Sequence, residues 1–143
     1  MSIMKTYIFA FDFDGTLCKG PFPDIGEPRM WVIDYAKRMK LDGHKIILWT
    51  CRENCGGIYF PDKRYLDEAV EWCSKYGLVF DAVNKNIEEE LYPNEIFSRK
   101  VYADYYIDDK SVIFDDVKEE FITPAPNYIF TNYMFNKKYA ELI

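Results

Sequence analysis

The stretch TYIFAFDFDGT, residues 6–16, decides the fold because it is an apolar strand pattern that ends in two acids. Its aromatic and aliphatic residues show no two-residue alternation, which is typical of a central strand covered on both faces. Asp12 and Asp14 come at its end and are followed at once by Gly15 and Thr16. Two partly buried carboxylates repel each other unless a counter-charge lies near. The stretch therefore predicts a central strand that carries a charged site at its end.

Helix and strand patterns alternate along the rest of the chain. Apolar residues at helical spacing predict helices over 26–43 and 61–77, and strand-like runs cover 44–50, 78–83 and 101–109. The tail contains a short strand candidate at 127–130 and an ambiguous last helix. Alternating strands and helices indicate βαβ units with right-handed crossovers. We therefore expect a single α/β domain over residues 1–143, with a doubly wound, Rossmann-like parallel sheet flanked by helices.

Polar residues follow three of the predicted strands. Asp12 and Asp14 end the first strand, Thr50 ends the second, and Asp108 and Asp109 end the strand over 101–109. In parallel α/β sheets, functional groups collect at the carboxyl ends of the strands, near the topological switch point. A group of carboxylates in partial burial favours a bound cation, and an all-oxygen ligand set favours Mg²⁺. The sequence therefore predicts a Mg²⁺ site at this edge of the sheet.

Composition limits the classes of function. The 143 residues are 49% hydrophobic and 18% aromatic, which indicates a folded domain, and the formal net charge is −6, which disfavours a nucleic-acid partner. The four cysteines lack the paired spacing of a zinc site, so we expect free thiols. No apolar run approaches the roughly 20 residues that cross a bilayer, and the N-terminus lacks a signal-peptide pattern. We therefore expect a cytoplasmic protein with no membrane partner.

Residues 12–16, DFDGT, resemble the first motif, D-x-D-G-T, of the haloacid dehalogenase (HAD) superfamily. Further motifs follow in the order of that family: Thr50 within ILWTCR, a lysine upstream of the strand over 101–109, and YYIDD at the end of that strand. The resemblance extends from residue 6 to about residue 112. It implies a Mg²⁺-dependent phosphatase that hydrolyses a phosphomonoester.

The resemblance also implies a role for each matching residue. Asp12 is expected to attack phosphorus and form an aspartyl-phosphate, while Asp14 acts first as general acid and then as general base. Thr50 is expected to hydrogen-bond the phosphoryl oxygens. The metal is expected to take a carboxylate oxygen of Asp12, the backbone carbonyl of Asp14, and a ligand from Asp109 with Asp108 beside it. The assignment between the last two residues stays open.

Further residues complete the predicted site. Gly15 allows the backbone to turn close to the phosphate, so that neighbouring N–H groups around Thr16 face its oxygens. Arg52 is expected either to reach the leaving group or a second anionic group of the substrate, or to be a surface arginine. Lys100 is favoured as the phosphate-binding lysine because it lies where the third motif of the family usually lies, and Lys85 is the rival.

The spacing of the motifs leaves little room for a cap domain. Residues 15–49 suffice for one loop, one helix and one strand, and residues 84–99 are too few for a mixed α/β cap. We therefore expect a HAD-like core without a cap domain. A phosphorylated small molecule is favoured over a macromolecule as the substrate, and a homo-oligomer is left open.

Alternative functions also stay open. A receiver-like signalling module groups acids, a hydroxyl and a lysine around Mg²⁺, but its phosphorylated aspartate ends the third strand, whereas Asp81 lies inside the run over 78–83. A nucleic-acid end-processing phosphatase fits a site without a cap, but it fits the negative charge of the chain poorly. A catalytically idle relative is a third alternative.

Overall fold

The computed structural model describes residues 5–56 and 58–122. The elements in chain order are β1 (Ile8–Phe11), α1 (Met30–Leu41), β2 (Lys45–Leu48), α2 (Tyr65–Lys75), β3 (Ala82–Val83), β4 (Tyr105–Ile107), β5 (Ile113–Asp115) and β6 (Glu120–Ile122). A 3₁₀ turn at Ile87–Glu90 lies between β3 and β4. The strand candidate at 127–130 and the last helix of the sequence prediction lie outside the described residues.

Four strands form a parallel sheet in the order β3-β2-β1-β4. Phe11 at the end of β1 is in register with Leu48 of β2 and with Ile107 of β4. The chain builds β2 and β3 on one side of β1 and then returns to place β4 on the other side. The switch point of the topology therefore lies between β1 and β4, where ligands of open α/β sheets bind. The predicted α/β fold with a parallel sheet is confirmed.

Both described helices pack on one face of the sheet. Phe9 and Phe11 of β1 point to this face and lie in one buried cluster with residues of β2, α1 and α2. The two rings are fully buried. Burial of such a side chain stabilises a fold by about 1.5–3 kcal/mol, so these two rings help to hold β1 against the helices.

The opposite face of the sheet is covered without a long helix. Ala10, Ile47 and Ala82 point to it and pack against Val101 and Ala103. The segment 84–104 supplies this cover, and it carries only the short 3₁₀ turn. The expected flanking helices are thus found on one face in the described residues, because the chain crosses the second face as an irregular segment that packs against small side chains.

An antiparallel hairpin of β5 and β6, which the sequence did not predict, packs on α1. The ring of Phe121 lies 4.9 Å from the ring of Trp31 and 5.0 Å from that of Tyr35, measured between centroids. The predicted strands are also shorter than expected, and β1 ends at Phe11 rather than at residue 14. Across 5–56 and 58–122, none of the helices has the length and apolar character needed to cross a membrane.

Candidate functional site

Three carboxylates meet at the carboxyl edge of the sheet. Asp12 follows β1, and its N–H donates to the carbonyl of Ile107 at 3.0 Å, which holds the ends of β1 and β4 together. Asp108 and Asp109 follow β4 directly. One carboxylate oxygen from each of the three acids lies within 4.8 Å of the others. The topology thus brings together acids that lie far apart in the sequence, and we call this group the carboxylate cluster.

The electrostatics of the carboxylate cluster are unfavourable in the metal-free protein. Burial, together with the negative charges of Asp108, Asp109 and Asp14, raises the pKa of Asp12 to about 7, against a hydrogen bond from the backbone of Phe13 that lowers it. A carboxylate with such a pKa lacks a compensating positive charge. A divalent cation at this place would supply it.

Asp108 and Asp109 lie in a tight turn that fixes their backbone. The carbonyl of Asp108 accepts the N–H groups of Ser111 and Val112, and its carboxylate accepts the N–H of Lys110 at 2.9 Å. Burial and a hydrogen bond with Asp108 raise the pKa of Asp109, although the Lys110 ammonium group, 3.8 Å from Asp109 Oδ2, acts in the opposite direction. This turn therefore presents two acids to the end of β1.

Asp14 does not share the environment of Asp12. The chain turns after β1, and the Asp14 carboxylate accepts two N–H groups of Arg52, from Nε at 2.9 Å and from the terminal nitrogen Nη2 at 2.8 Å. In the described residues, the carboxylate oxygens of Asp14 are not among those of the cluster. The two acids of the DFDGT motif consequently have different partners, although they are only two residues apart.

The loop after β1 is held by an arginine that the sequence reasoning missed. Arg29, next to the start of α1, donates from Nη1 to the carbonyls of Gly15 (2.6 Å) and Thr16 (3.1 Å) and from Nε to Asp116 (2.9 Å). Asp116 also accepts the indole N–H of Trp31 at 2.8 Å. Only the position of Arg29 after Pro28, at a helix start, could have drawn attention to it, since its partners are backbone carbonyls and a residue of the unpredicted hairpin.

Thr16 and Thr50 present hydroxyl groups at this edge in different ways. Thr16 is fully buried, and its hydroxyl has no hydrogen-bond partner within the part of the chain that the structure describes. The hydroxyl of Thr50 accepts the N–H of Arg52 at 3.1 Å, and its own hydrogen is not used in that bond. Thr50 therefore retains a donor at the end of β2.

The two predicted lysines have partners other than the acids of the site. The ammonium group of Lys100 lies 4.9 Å from the centre of the Tyr106 ring, and Lys85 forms an ion pair with Glu90. Among the residues described, neither lysine forms an ion pair with Asp12, Asp14, Asp108 or Asp109, whereas the exposed Lys110 pairs with Asp109. The sequence reasoning did not single out Lys110, although it follows the two acids directly.

The donor set of the carboxylate cluster fits a hard divalent cation. All three side chains supply oxygen, and both Mg²⁺ and Ca²⁺ take oxygen ligands, while zinc and copper sites favour nitrogen and sulfur. Mg²⁺ commonly binds through a few carboxylates and keeps several waters. The carboxylate cluster, with one oxygen from each of three acids, is compatible with this way of binding Mg²⁺.

The fold and the site define an α/β protein with a parallel sheet and a carboxylate cluster at its topological switch point. No protein-family model and no curated protein matches the chain. Among solved structures, a conserved protein from Bacteroides thetaiotaomicron is 35% identical in sequence, with a TM-score of 0.65, over 91% of this chain and 90% of that chain. The chain belongs to the same family as this Bacteroides protein. The function of the chain is therefore inferred from the chemistry of its site.

Proposed function

We propose that the protein is a Mg²⁺-dependent phosphatase of the HAD superfamily, without a cap domain, that hydrolyses a phosphomonoester. The observation that carries the proposal is the meeting of Asp12, Asp108 and Asp109 at the switch point. Asp12 is the first residue of the DFDGT motif. The other acid of this motif, Asp14, is bound by Arg52 and not by the carboxylate cluster. A metal-binding acid and a separate proton-transferring acid are what hydrolysis through an aspartyl-phosphate requires.

Each residue of the site has a task in this reaction. Asp12 Oδ attacks phosphorus as the bond to the leaving oxygen breaks, and Asp14 transfers the proton to that oxygen. Asp14 then takes a proton from the water that hydrolyses the aspartyl-phosphate. The Thr50 hydroxyl and the backbone N–H of Gly15 would face the phosphoryl oxygens. The N–H groups of Thr16 and Leu17 do not serve this purpose, because they donate to the carbonyl of Phe13. Mg²⁺ held by the carboxylate cluster would offset the negative charges of the acids and the phosphoryl group.

The receiver-like alternative has less support. Asp81 precedes β3, and its carboxylate accepts the N–H of Ile46 at 2.9 Å while it pairs with Lys40. These contacts lie at the amino end of β2 and β3, opposite the carboxylate cluster. A phosphate on Asp81 would therefore lie far from the acids that hold the metal.

The substrate is proposed to be a phosphorylated small molecule. The net charge of −6 opposes long-range attraction of a polyanion. The covering segment 84–104 packs on the sheet and forms no separate cap in the described residues. A site without a cap also admits large substrates, so the choice of a small molecule rests on the negative charge of the chain.

The test is hydrolysis of p-nitrophenyl phosphate and of a panel of phosphomonoesters, with Mg²⁺ or Mn²⁺, from about pH 5 to about pH 9, an interval that includes the raised pKa of a catalytic carboxyl group. We expect turnover that EDTA abolishes and Mg²⁺ restores. No turnover with any phosphomonoester of the panel would overturn the proposed function. Transfer of a phosphoryl group to the protein without turnover would favour the receiver-like alternative.

A further inference from the structure

Arg52 is one of the most buried charged residues that the structure describes. The residue is 2% exposed, and its side chain is 1% exposed. Guanidinium groups remain charged at all ordinary pH values, and a buried charge is costly unless it is paired and hydrogen-bonded. The residues that pair with the buried guanidinium group of Arg52 therefore indicate the role of this residue.

Its donors are almost all engaged within the protein. Two of them form the fork onto Asp14, Nη2 also donates to the carbonyl of Pro23 at 3.2 Å, and Nη1 donates to the carbonyl of Tyr65 at 3.4 Å. Guanidinium has five N–H donors, so these four contacts leave one. A direct contact with an anionic substrate would require the loss of bonds that the structure shows.

Aromatic rings hold the plane of the guanidinium group. Its central carbon lies 4.9 Å from the centre of the Phe13 ring and 5.0 Å from the centre of the Phe22 ring. Phe22 in turn contacts the ring of Tyr65 edge-on, at 5.1 Å between centroids. Stacking and a bidentate bond together fix both the position and the orientation of the group.

The backbone that carries Arg52 is held as well. Asn84, after β3, accepts the N–H of Thr50 at 2.8 Å and donates to the carbonyl of Arg52 at 3.3 Å. The turn at the end of β2 is thus tied to the end of β3. The backbone of Arg52 is thus fixed by this turn, and its guanidinium group is fixed by Asp14.

We propose that Arg52 is the positioning residue that fixes the Asp14 carboxylate for proton transfer, and that it does not bind the substrate. This inference rests on the proposed function, in which Asp14 is the general acid and base. Arg52 lies in the turn after β2, and it joins Asp14 to the loop at Pro23 and to the start of α2 at Tyr65. The carboxylate is therefore held relative to three separate segments: this turn, the loop and the helix. Lysine cannot reproduce this geometry, because it offers a point charge instead of a planar fork.

The experiment compares Arg52→Met, Arg52→Lys, Asp14→Asn and the double variant Asp14→Asn with Arg52→Met. Arg38→Met is the matched control, because it removes an arginine of α1 from an ion pair with Asp42, the residue that follows this helix. Measured with p-nitrophenyl phosphate and Mg²⁺, Asp14→Asn is expected to lower kcat by about 10²- to 10⁴-fold. Arg52→Met and Arg52→Lys are expected to lower kcat by about 10- to 100-fold with KM changed less than about threefold.

The double variant gives the decisive comparison. If Arg52 acts through Asp14, the double variant is no slower than Asp14→Asn alone. A kcat that falls by the product of the two single effects would overturn the inference. A raised KM with an unchanged kcat in the Arg52 variants would also overturn it, because that result indicates direct substrate binding. If Arg52→Met does not fold, the lysine variant gives the same KM and kcat comparison.

Failure of the proposed function is distinguishable from failure of this inference. Inactivity of the wild-type protein on every phosphomonoester contradicts the proposed function and with it the catalytic purpose assigned to Arg52. Wild-type turnover combined with independent effects of Asp14 and Arg52 contradicts the inference alone. Wild-type turnover with non-additive effects supports both.

Discussion

Gly15 lies directly against the carboxylate of Asp109. A Cβ atom built on Gly15 would lie 2.5 Å from Asp109 Oδ2 and 2.9 Å from its Cγ, and the φ angle of Gly15 is +82°. Glycine is therefore required for two separate reasons, the left-handed backbone and the close approach of an acid. The loop after β1 and the turn after β4 meet at this contact, so a Cβ atom on residue 15 would displace Asp109 of the carboxylate cluster.

Gly15→Ala is expected to weaken Mg²⁺ binding and to lower stability. The added methyl group displaces Asp109, and the left-handed backbone costs about 1–2 kcal/mol for a residue with a Cβ. Calorimetric titration with Mg²⁺ and the thermal midpoint measure the two effects.

Gly43→Ala is the matched control. Gly43 has a φ angle of +94°, but no atom lies within 4 Å of its built Cβ. This variant should lose about 1–2 kcal/mol of stability from the backbone alone and keep the wild-type Mg²⁺ affinity. Equal loss of Mg²⁺ affinity in both variants would contradict the role of the contact with Asp109.

The metal-free protein is expected to lose stability as the pH rises from about 4 to about 7 through the titration of Asp12. Its pKa is about 7 in the folded chain, against an ordinary value of 3.8. The folded state thus binds more protons than the unfolded state in this interval, and its stability falls as these protons are lost. Urea unfolding in EDTA across this pH range measures the effect.

Two additions sharpen this test. Asp12→Asn should reduce the dependence on pH, whereas Asp34→Asn, which changes an exposed acid of α1, should not. Mg²⁺ should raise the thermal midpoint more at about pH 8 than at about pH 5, because it binds the ionised acids. A Mg²⁺ effect that is larger at the lower pH would contradict the metal site.

His44 is expected to contribute a second pH dependence of opposite sign. Burial lowers its pKa below the ordinary value of 6.5, against a smaller effect of Asp42, and its Nδ1 accepts the N–H of Tyr7 at 3.0 Å. A neutral imidazole is needed for that bond, so the stability it provides is present above about pH 6.5 and is lost as the pH falls. NMR titration of His44, the single histidine, measures its pKa directly. A pKa above 6.5 would contradict this structural role.

The sequence predicted the parts of the site that depend on local pattern. The apolar strand before Asp12 and the YYIDD stretch were each visible locally, and the edge at which they meet followed from the rules of parallel sheets. The partner of Asp14 was not predictable, since the approach of Arg52 depends on the turn that Asn84 holds at the end of β3. The β5–β6 hairpin was missed because its strands have three residues each, too few for a periodic signal.

Three lysines are candidates for the phosphate-binding lysine of the proposed reaction. Lys100 remains the prediction from the sequence motif, although its ammonium group contacts the Tyr106 ring and not the acids. Alanine substitution at Lys100, Lys85 and Lys110, measured by kcat/KM with p-nitrophenyl phosphate, separates the candidates. We expect the largest loss for Lys100→Ala, because a lysine that neutralises the phosphoryl oxygens acts on the transition state. Full turnover in this variant, with loss in either of the others, would show that the choice is wrong.

The covalent step on Asp12 is the central claim of the account. Acid quenching during turnover of a phosphomonoester with Mg²⁺, followed by mass spectrometry of the peptide with residues 7–20, detects an aspartyl-phosphate directly. We predict a phosphoryl group on Asp12 in the wild-type protein, a larger amount in Asp14→Asn because hydrolysis of the intermediate is slowed, and none in EDTA. A phosphoryl group on another residue, or wild-type turnover by Asp12→Asn, would contradict the account.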